Sequence, residues 1–133
     1  MRRALIDTNI YSLAMRGDAN VTDRLQQFDE IGFSVVSLGE LLVGFRGGSR
    51  EAQNRSELTR FLDSQRVRLL QTDPETAEFY AVIVQALKRA GTPIPTNDIW
   101  IAATAQRHGL PIMTRDVHFS RVPGMALVTL PTR

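Results

Sequence analysis

Short apolar runs alternate with stretches of helical spacing along this chain. That alternation limits the fold more than any other feature. Runs at 3–6, 31–36, 67–70, 112–114 and 126–129 read as strands. Helical patterns at 10–15, 20–30, 37–45, 51–62, 74–90 and 97–108 lie between them. Strands separated by helices cannot close tight hairpins, so they pair in parallel, with helices covering both faces. The expected fold is a three-layer α/β/α domain with a mostly parallel sheet of four to five strands. Right-handed crossovers give the order 3-2-1-4-5, with a switch point between strands 1 and 4. Ligands of open parallel sheets bind at such a point, beyond the carboxyl ends of the strands.

Four acids stand at the ends of these elements. Asp7 closes the first strand, Glu40 follows the second, Asp98 opens the helix at 97–108, and Asp116 follows the fourth strand. If the strand order holds, acids distant in sequence meet in one pocket. Gathered carboxylates repel unless a cation joins them, and hard oxygen donors suit Mg²⁺ or Mn²⁺. At least one such group should have a raised pKa from like-charge repulsion. The first functional expectation is therefore a metal-dependent phosphoester hydrolase.

Each short motif also has a reading without chemistry. Asp7-Thr8-Asn9 suits a capped turn from strand to helix. Alternatively, Asp7 binds metal while Thr8 and Asn9 fix its surroundings. Ser37-Leu38-Gly39-Glu40 has the spacing of a capping box, with Val36 and Leu41 as its hydrophobic staple. Asp98 suits a first helical turn through the helix dipole. Asp116 can form a turn. Arg115 is either a solvated charge, a partner for an acid or a contact for substrate phosphate. His118 is either a hydrogen-bonded loop histidine, a metal ligand or a proton shuttle. Asp73-Pro74-Glu75 marks a helix start and Gly91 its stop. Asn20 is the expected cap of the helix running to Glu30, and Thr96 can cap the helix at 97–108. Phe79, Ile83, Leu87 and Ala90 form the expected core stripe of that helix.

The chain has 133 residues, 43% apolar content and no cysteine. That is enough for one core, expected as a single domain over 1–133, and it excludes disulfides and thiolate metal sites. No run has the length of a membrane span, and Asp7 interrupts any signal-peptide core, so a cytoplasmic setting is expected. The net charge is +2, from sixteen basic and fourteen acidic residues. With four acids gathered in a site, the remaining surface carries +6, which suits a phosphate backbone.

Taken together, Leu5-Ile6-Asp7-Thr8-Asn9, the Ser37-x-x-Glu40 segment, 97–103 (Asn-Asp-Ile-Trp-Ile-Ala-Ala) and 113–119 (Met-Thr-Arg-Asp-Val-His-Phe) resemble the PIN-domain family. Within it, the chain is similar to VapC-type toxin ribonucleases. The resemblance covers nearly the whole chain, including Val122-Pro123-Gly124-Met125 before the last strand. It implies a Mg²⁺- or Mn²⁺-dependent endoribonuclease that is the toxin of a toxin–antitoxin pair. Asp7, Glu40 and Asp98 match the family's three principal acids, Asp116 the fourth, and Thr114 a hydroxyl residue near the pocket. Arg115 departs from the family, where an uncharged residue is common. The resemblance also implies an RNA substrate, a homodimer and a cognate antitoxin laid across the groove.

Two other readings differ in class. A non-catalytic RNA- or protein-binding PIN-like domain would carry the same acids unused. A phosphoacceptor receiver domain shares the alternation but needs an acid pair after strand 1, an Asp ending strand 3 and a late lysine. Here strand 1 ends Asp-Thr-Asn, strand 3 ends Leu70-Gln71, and the single lysine, Lys88, lies within a helix.

Overall fold

The computed structural model of the chain describes residues 1–130. The last three positions of the expected 1–133 domain lie outside the described residues. Five strands, β1 (Arg3–Ile6), β2 (Glu30–Ser34), β3 (Val67–Leu70), β4 (Ile112–Thr114) and β5 (Leu127–Thr129), form one sheet in the order 3-2-1-4-5. Every pairing is parallel. The helices are α1 (Thr8–Met15), α2 (Ala19–Leu25), α3 (Val35–Phe45), α4 (Glu51–Asp63), α5 (Pro74–Ala90) and α6 (Thr96–Arg107). A 3-10 turn, Val117–Arg121, follows β4.

Side chains of successive strand residues point to opposite faces. Ala4 and Ile6 of β1 therefore join one core, with Ile10, Tyr11, Phe33 and Leu58. Leu5 joins the other, with Ile83, Leu87, Ala102, Ile112 and Phe119. On the first face, Tyr11 packs tilted on Phe33 at a centroid distance of 5.7 Å, and Phe61 meets Tyr11 and Phe33 edge-on at 5.0 and 5.3 Å. On the second, Ala102, Ala103 and Ala105 are buried in α6 and let that helix lie close to the sheet. Tyr80 stacks on Trp100 at 3.8 Å, which ties α5 to α6.

Helix α5 has the bounds its sequence signals predict. Asp73 and Thr76 form a reciprocal capping box, and Pro74 occupies the first turn. Gly91 ends the helix at φ 67°, a left-handed position that favours glycine. Its expected core stripe is only half buried: Ile83 and Leu87 pack inward, while Phe79 and Ala90 are exposed. The buried face runs instead through Thr76, Tyr80, Ile83, Val84 and Leu87, so Phe79 falls beside it and Ala90 lies past its end.

Three expected caps are displaced. The chain leaves β2 at Ser34, and the Ser34 hydroxyl accepts from the Val36 N–H. Ser37 lies inside α3 and is fully buried, so Ser37 and Glu40 form no capping box. Asp18, not Asn20, caps α2 by accepting from the Val21 N–H. That helix ends at Leu25, short of the expected Glu30. For α6, the Pro95 carbonyl accepts from the N–H groups of Asp98 and Ile99, and Thr96 makes no side-chain cap. The proline fixes its own φ at the helix entry but has no side-chain acceptor to offer the first turn. Among the described residues no helix is long and apolar enough to cross a membrane.

Candidate active site

The register of the two central strands builds the first half of the site. Leu5 pairs with Ile112 and Ile6 with Met113. One step further, Asp7 stands beside Thr114. The Thr114 hydroxyl donates to Asp7 Oδ2 at 2.5 Å and accepts from the Asp116 N–H at 2.8 Å. Asp7 Oδ1 accepts from the Ile10 N–H at 2.9 Å, so Asp7 also caps α1. Capping and a role in the pocket are therefore compatible: each carboxylate oxygen has its own donor.

Strand β2 lies on the other side of β1 and feeds α3 over the same edge. Because Ser34 caps α3, Glu40 is free of the backbone and turns toward α1 and α6. The Thr8 hydroxyl lies 2.6 Å from Glu40 Oε1 and 2.9 Å from the Ser37 hydroxyl. Thr8 has one proton, so it donates to the carboxylate and accepts from Ser37. Asn97 Nδ2 donates to Glu40 Oε2 at 3.2 Å. Asp98, next to Asn97 in the first turn of α6, points into the same space.

Asp116 caps the 3-10 turn by accepting from the His118 N–H at 2.9 Å. This turn returns the His118 ring over the acids. Its Nδ1 is 3.2 Å from Asp116 Oδ1 and 3.6 Å from Asp98 Oδ2. One ligand atom from each of Asp98, Asp116 and His118 lies within 4.8 Å of the other two. Asp7 and Glu40 stand outside that set but interact with it electrostatically.

Burial pushes the Asp7 carboxyl up to about 6, against hydrogen bonds from Thr114 and Ile10 that lower it; Asp116 and Asp98 raise it further. Burial likewise raises Asp98, followed by repulsion from Asp116 and Glu40, with His118 acting the other way. Like-charge repulsion is thus present, as expected from the sequence, but desolvation is the larger cause. All four acids are coupled at one edge of the sheet. Hard oxygen donors in a partly desolvated pocket are the donor set that a small divalent cation requires. The residues fit such an ion.

Asn9 is exposed at the rim. With Leu13, Arg16, Arg115 and Asp116 it lines a cleft of about 340 Å³ beside the acids. Arg115 Nη1 pairs with Asp18 Oδ2 at 3.0 Å, and Nη2 reaches Oδ1 at 3.3 Å. The acid it meets is the cap of α2, outside the pocket. Ser37 and Asn97 hold pocket residues, a role their sequence context does not reveal. Nothing in their spacing gives it away, since it depends on α3 and α6 meeting above β1.

The chain belongs to the PIN domain family, which it matches over residues 4–125. It is 35% identical over 130 residues to Ribonuclease VapC4 of Mycobacterium tuberculosis, a match covering 98% of either chain. Among solved structures, VapBC from Salmonella typhimurium bound to DNA superposes with a TM-score of 0.87 at 25% identity, covering 97% of this chain and 98% of that one. VapBC-5 of Mycobacterium tuberculosis, a toxin–antitoxin system member, superposes with a TM-score of 0.75 at 26% identity, covering 99% and 100%.

Proposed function

We propose that this protein is a metal-dependent endoribonuclease, the toxin of a toxin–antitoxin pair, acting as a single domain over 1–133. The convergence of Asp7, Glu40, Asp98 and Asp116 at the β1/β4 switch point carries this reading. The names of the relatives, ribonucleases and toxin–antitoxin complexes, support it.

In this reading Asp7, Asp98, Asp116 and Glu40 hold Mg²⁺ or Mn²⁺. Held by these residues, a divalent cation would supply polarisation of a phosphate oxygen and acidification of a water. The chain's own groups do the rest. Thr114 fixes Asp7 and, through the Asp116 N–H, the turn that carries Asp116. Thr8 and Asn97 orient Glu40 from its two oxygens, which sets it to bind the cation or take the proton of the attacking water. Arg16 and Arg115, in the cleft beside Asp116, offer positive charge to the RNA backbone without reading sequence. The cognate antitoxin blocks this cleft, and the active form is a homodimer.

The test is cleavage of a mixed RNA pool by antitoxin-free protein in Mg²⁺, Mn²⁺ or EDTA, with Asp98→Asn as control. Cleavage that needs the cation and is lost in the variant is the expected result. Failure of folded protein to cleave any RNA in the pool sinks the catalytic reading and leaves a binding domain.

A further inference from the structure

We infer that His118 contributes its Nδ1 as a nitrogen ligand to the cation of this pocket, which makes the site selective for Mn²⁺ over Mg²⁺. This rests on the proposed metal site and adds a donor to its acids. Nδ1 is itself buried and makes no hydrogen bond among the described residues, although two carboxylate oxygens face it. A buried polar atom without a partner is costly, and native structures rarely tolerate one. In the Nε2–H tautomer the Nδ1 lone pair faces carboxylate lone pairs, which is repulsive. A cation between them converts that repulsion into three bonds.

The distances agree with this. Donors on one ion at about 2.1 Å lie no more than roughly 4.2 Å apart. Atoms of Asp98, Asp116 and His118 fall within 4.8 Å of one another, so shifts of a few tenths of an ångström in each side chain close the set. The ring is also positioned independently of any ion. The His118 N–H is held by Asp116 Oδ1 at the start of the 3-10 turn, and buried Phe119 anchors the next residue in the core. The ring nitrogen therefore returns to the acids by local geometry. Imidazole is a softer donor than carboxylate; transition ions accept it readily, whereas Mg²⁺ prefers oxygen.

The competing account of the same geometry is an Nδ1–H, in the neutral ring or in the imidazolium, directed at the two acids. The two differ in outcome. A ligand lost weakens metal binding; a competing donor or positive charge lost leaves it unchanged or strengthens it.

Mn²⁺ and Mg²⁺ affinities are to be measured by calorimetry on wild type, His118→Ala, His118→Asn and Asp98→Asn. The Mn²⁺-loaded proteins are then compared by pulsed electron paramagnetic resonance for ¹⁴N modulation. We expect imidazole-type modulation in wild type and none in His118→Ala, with Mn²⁺ binding weakened on the order of tenfold or more and Mg²⁺ binding changed much less. His118→Asn replaces nitrogen with an amide oxygen, so it should keep Mg²⁺ binding near wild type without the modulation. Unchanged or tighter Mn²⁺ binding in His118→Ala overturns the inference, as does absence of nitrogen modulation in wild type. Asp98→Asn separates the two levels. If it leaves Mn²⁺ binding intact, the metal site itself is misread; if it weakens binding while His118→Ala does not, only the histidine's role fails.

Discussion

The Thr114 hydroxyl reaches Asp7 Oδ2 at 2.5 Å because Asp7, one residue past the end of β1, keeps the parallel register with the last residue of β4. A single hydroxyl thus holds the most desolvated acid of the pocket and, by accepting from the Asp116 N–H, the turn carrying another. Thr114→Val keeps the shape and removes both bonds. Losing a bond that lowers the Asp7 pKa moves it higher still. In metal-free protein, the Asp7 carboxyl followed by NMR should titrate near 6 in wild type and above that in the variant. Leaving two buried groups unpaired should cost about 1–3 kcal/mol in urea unfolding. Thr114→Ser should restore both. An Asp7 midpoint that does not move in the variant would show that Thr114 does not govern this acid.

Asp7 also fixes the sign of the pH dependence of stability. Its folded pKa, about 6, stands above the ordinary value of 3.8. The folded state therefore holds the proton more tightly between those two values. Stability is greatest below pH 4 as far as this group is concerned and falls as pH rises through 6. The shift corresponds to a penalty of about 3 kcal/mol at neutral pH. Asp98 is raised too and acts in the same direction. Metal-free protein should accordingly be more stable at pH 5.5 than at 7.5 in denaturant titrations. Asp7→Asn should flatten that slope, retain the fold and abolish cleavage. Added Mn²⁺ should stabilise wild type at pH 7.5 and the variant far less. Stability that rises from pH 5.5 to 7.5 in EDTA would contradict the desolvated state of Asp7.

The two serines of the β2–α3 junction separate a cap from a pocket support. Ser34 caps α3, so Ser34→Ala should cost about 1 kcal/mol of stability. Ser37 contacts Thr8, which in turn holds Glu40. Ser37→Ala should affect stability less than cleavage, lowering kcat with little change in KM. Parallel thermal melts and RNA-cleavage kinetics distinguish them. Equal loss of stability without loss of activity in both would return Ser37 to a purely structural place.

This junction also marks the limit of what the residues alone reveal. Strand order and the gathering of four acids are legible because both follow from alternation, crossover handedness and the positions of Asp7 and Asp116 at strand ends. The bounds of α5 are legible because Asp73, Pro74 and Gly91 act locally. The start of α3 is not. Ser34 and Ser37 are both competent caps, and the choice is made by where β2 stops pairing with β1 and β3. Asn97 is similarly hidden. It reaches Glu40 across elements, and a helix-start asparagine has no periodicity that points to a partner. Arg115 allowed several readings in sequence; its partner Asp18 is 97 residues away.

That pair supplies a final expectation. Asp18 caps α2 with Oδ1 while its side chain, only 4% exposed, is paired with Arg115. Arg115→Met would keep apolar length and leave a largely desolvated carboxylate without this cation. Breaking a buried pair from one side costs more than the pair contributes, because the remaining carboxylate stays desolvated and loses two charge-assisted hydrogen bonds. The variant should lose about 3 kcal/mol in chemical denaturation. Asp18→Asn in the Arg115→Met background should recover part of it, since the asparagine amide still accepts from the Val21 N–H and carries no charge. Activity tests the other reading of the same residue. With RNA substrate, the double variant should show a raised KM and a near-unchanged kcat if Arg115 also offers charge to phosphate in the cleft. If KM is unchanged in a double variant whose stability has recovered, Arg115 serves the fold alone, and Arg16 is the remaining arginine lining that cleft.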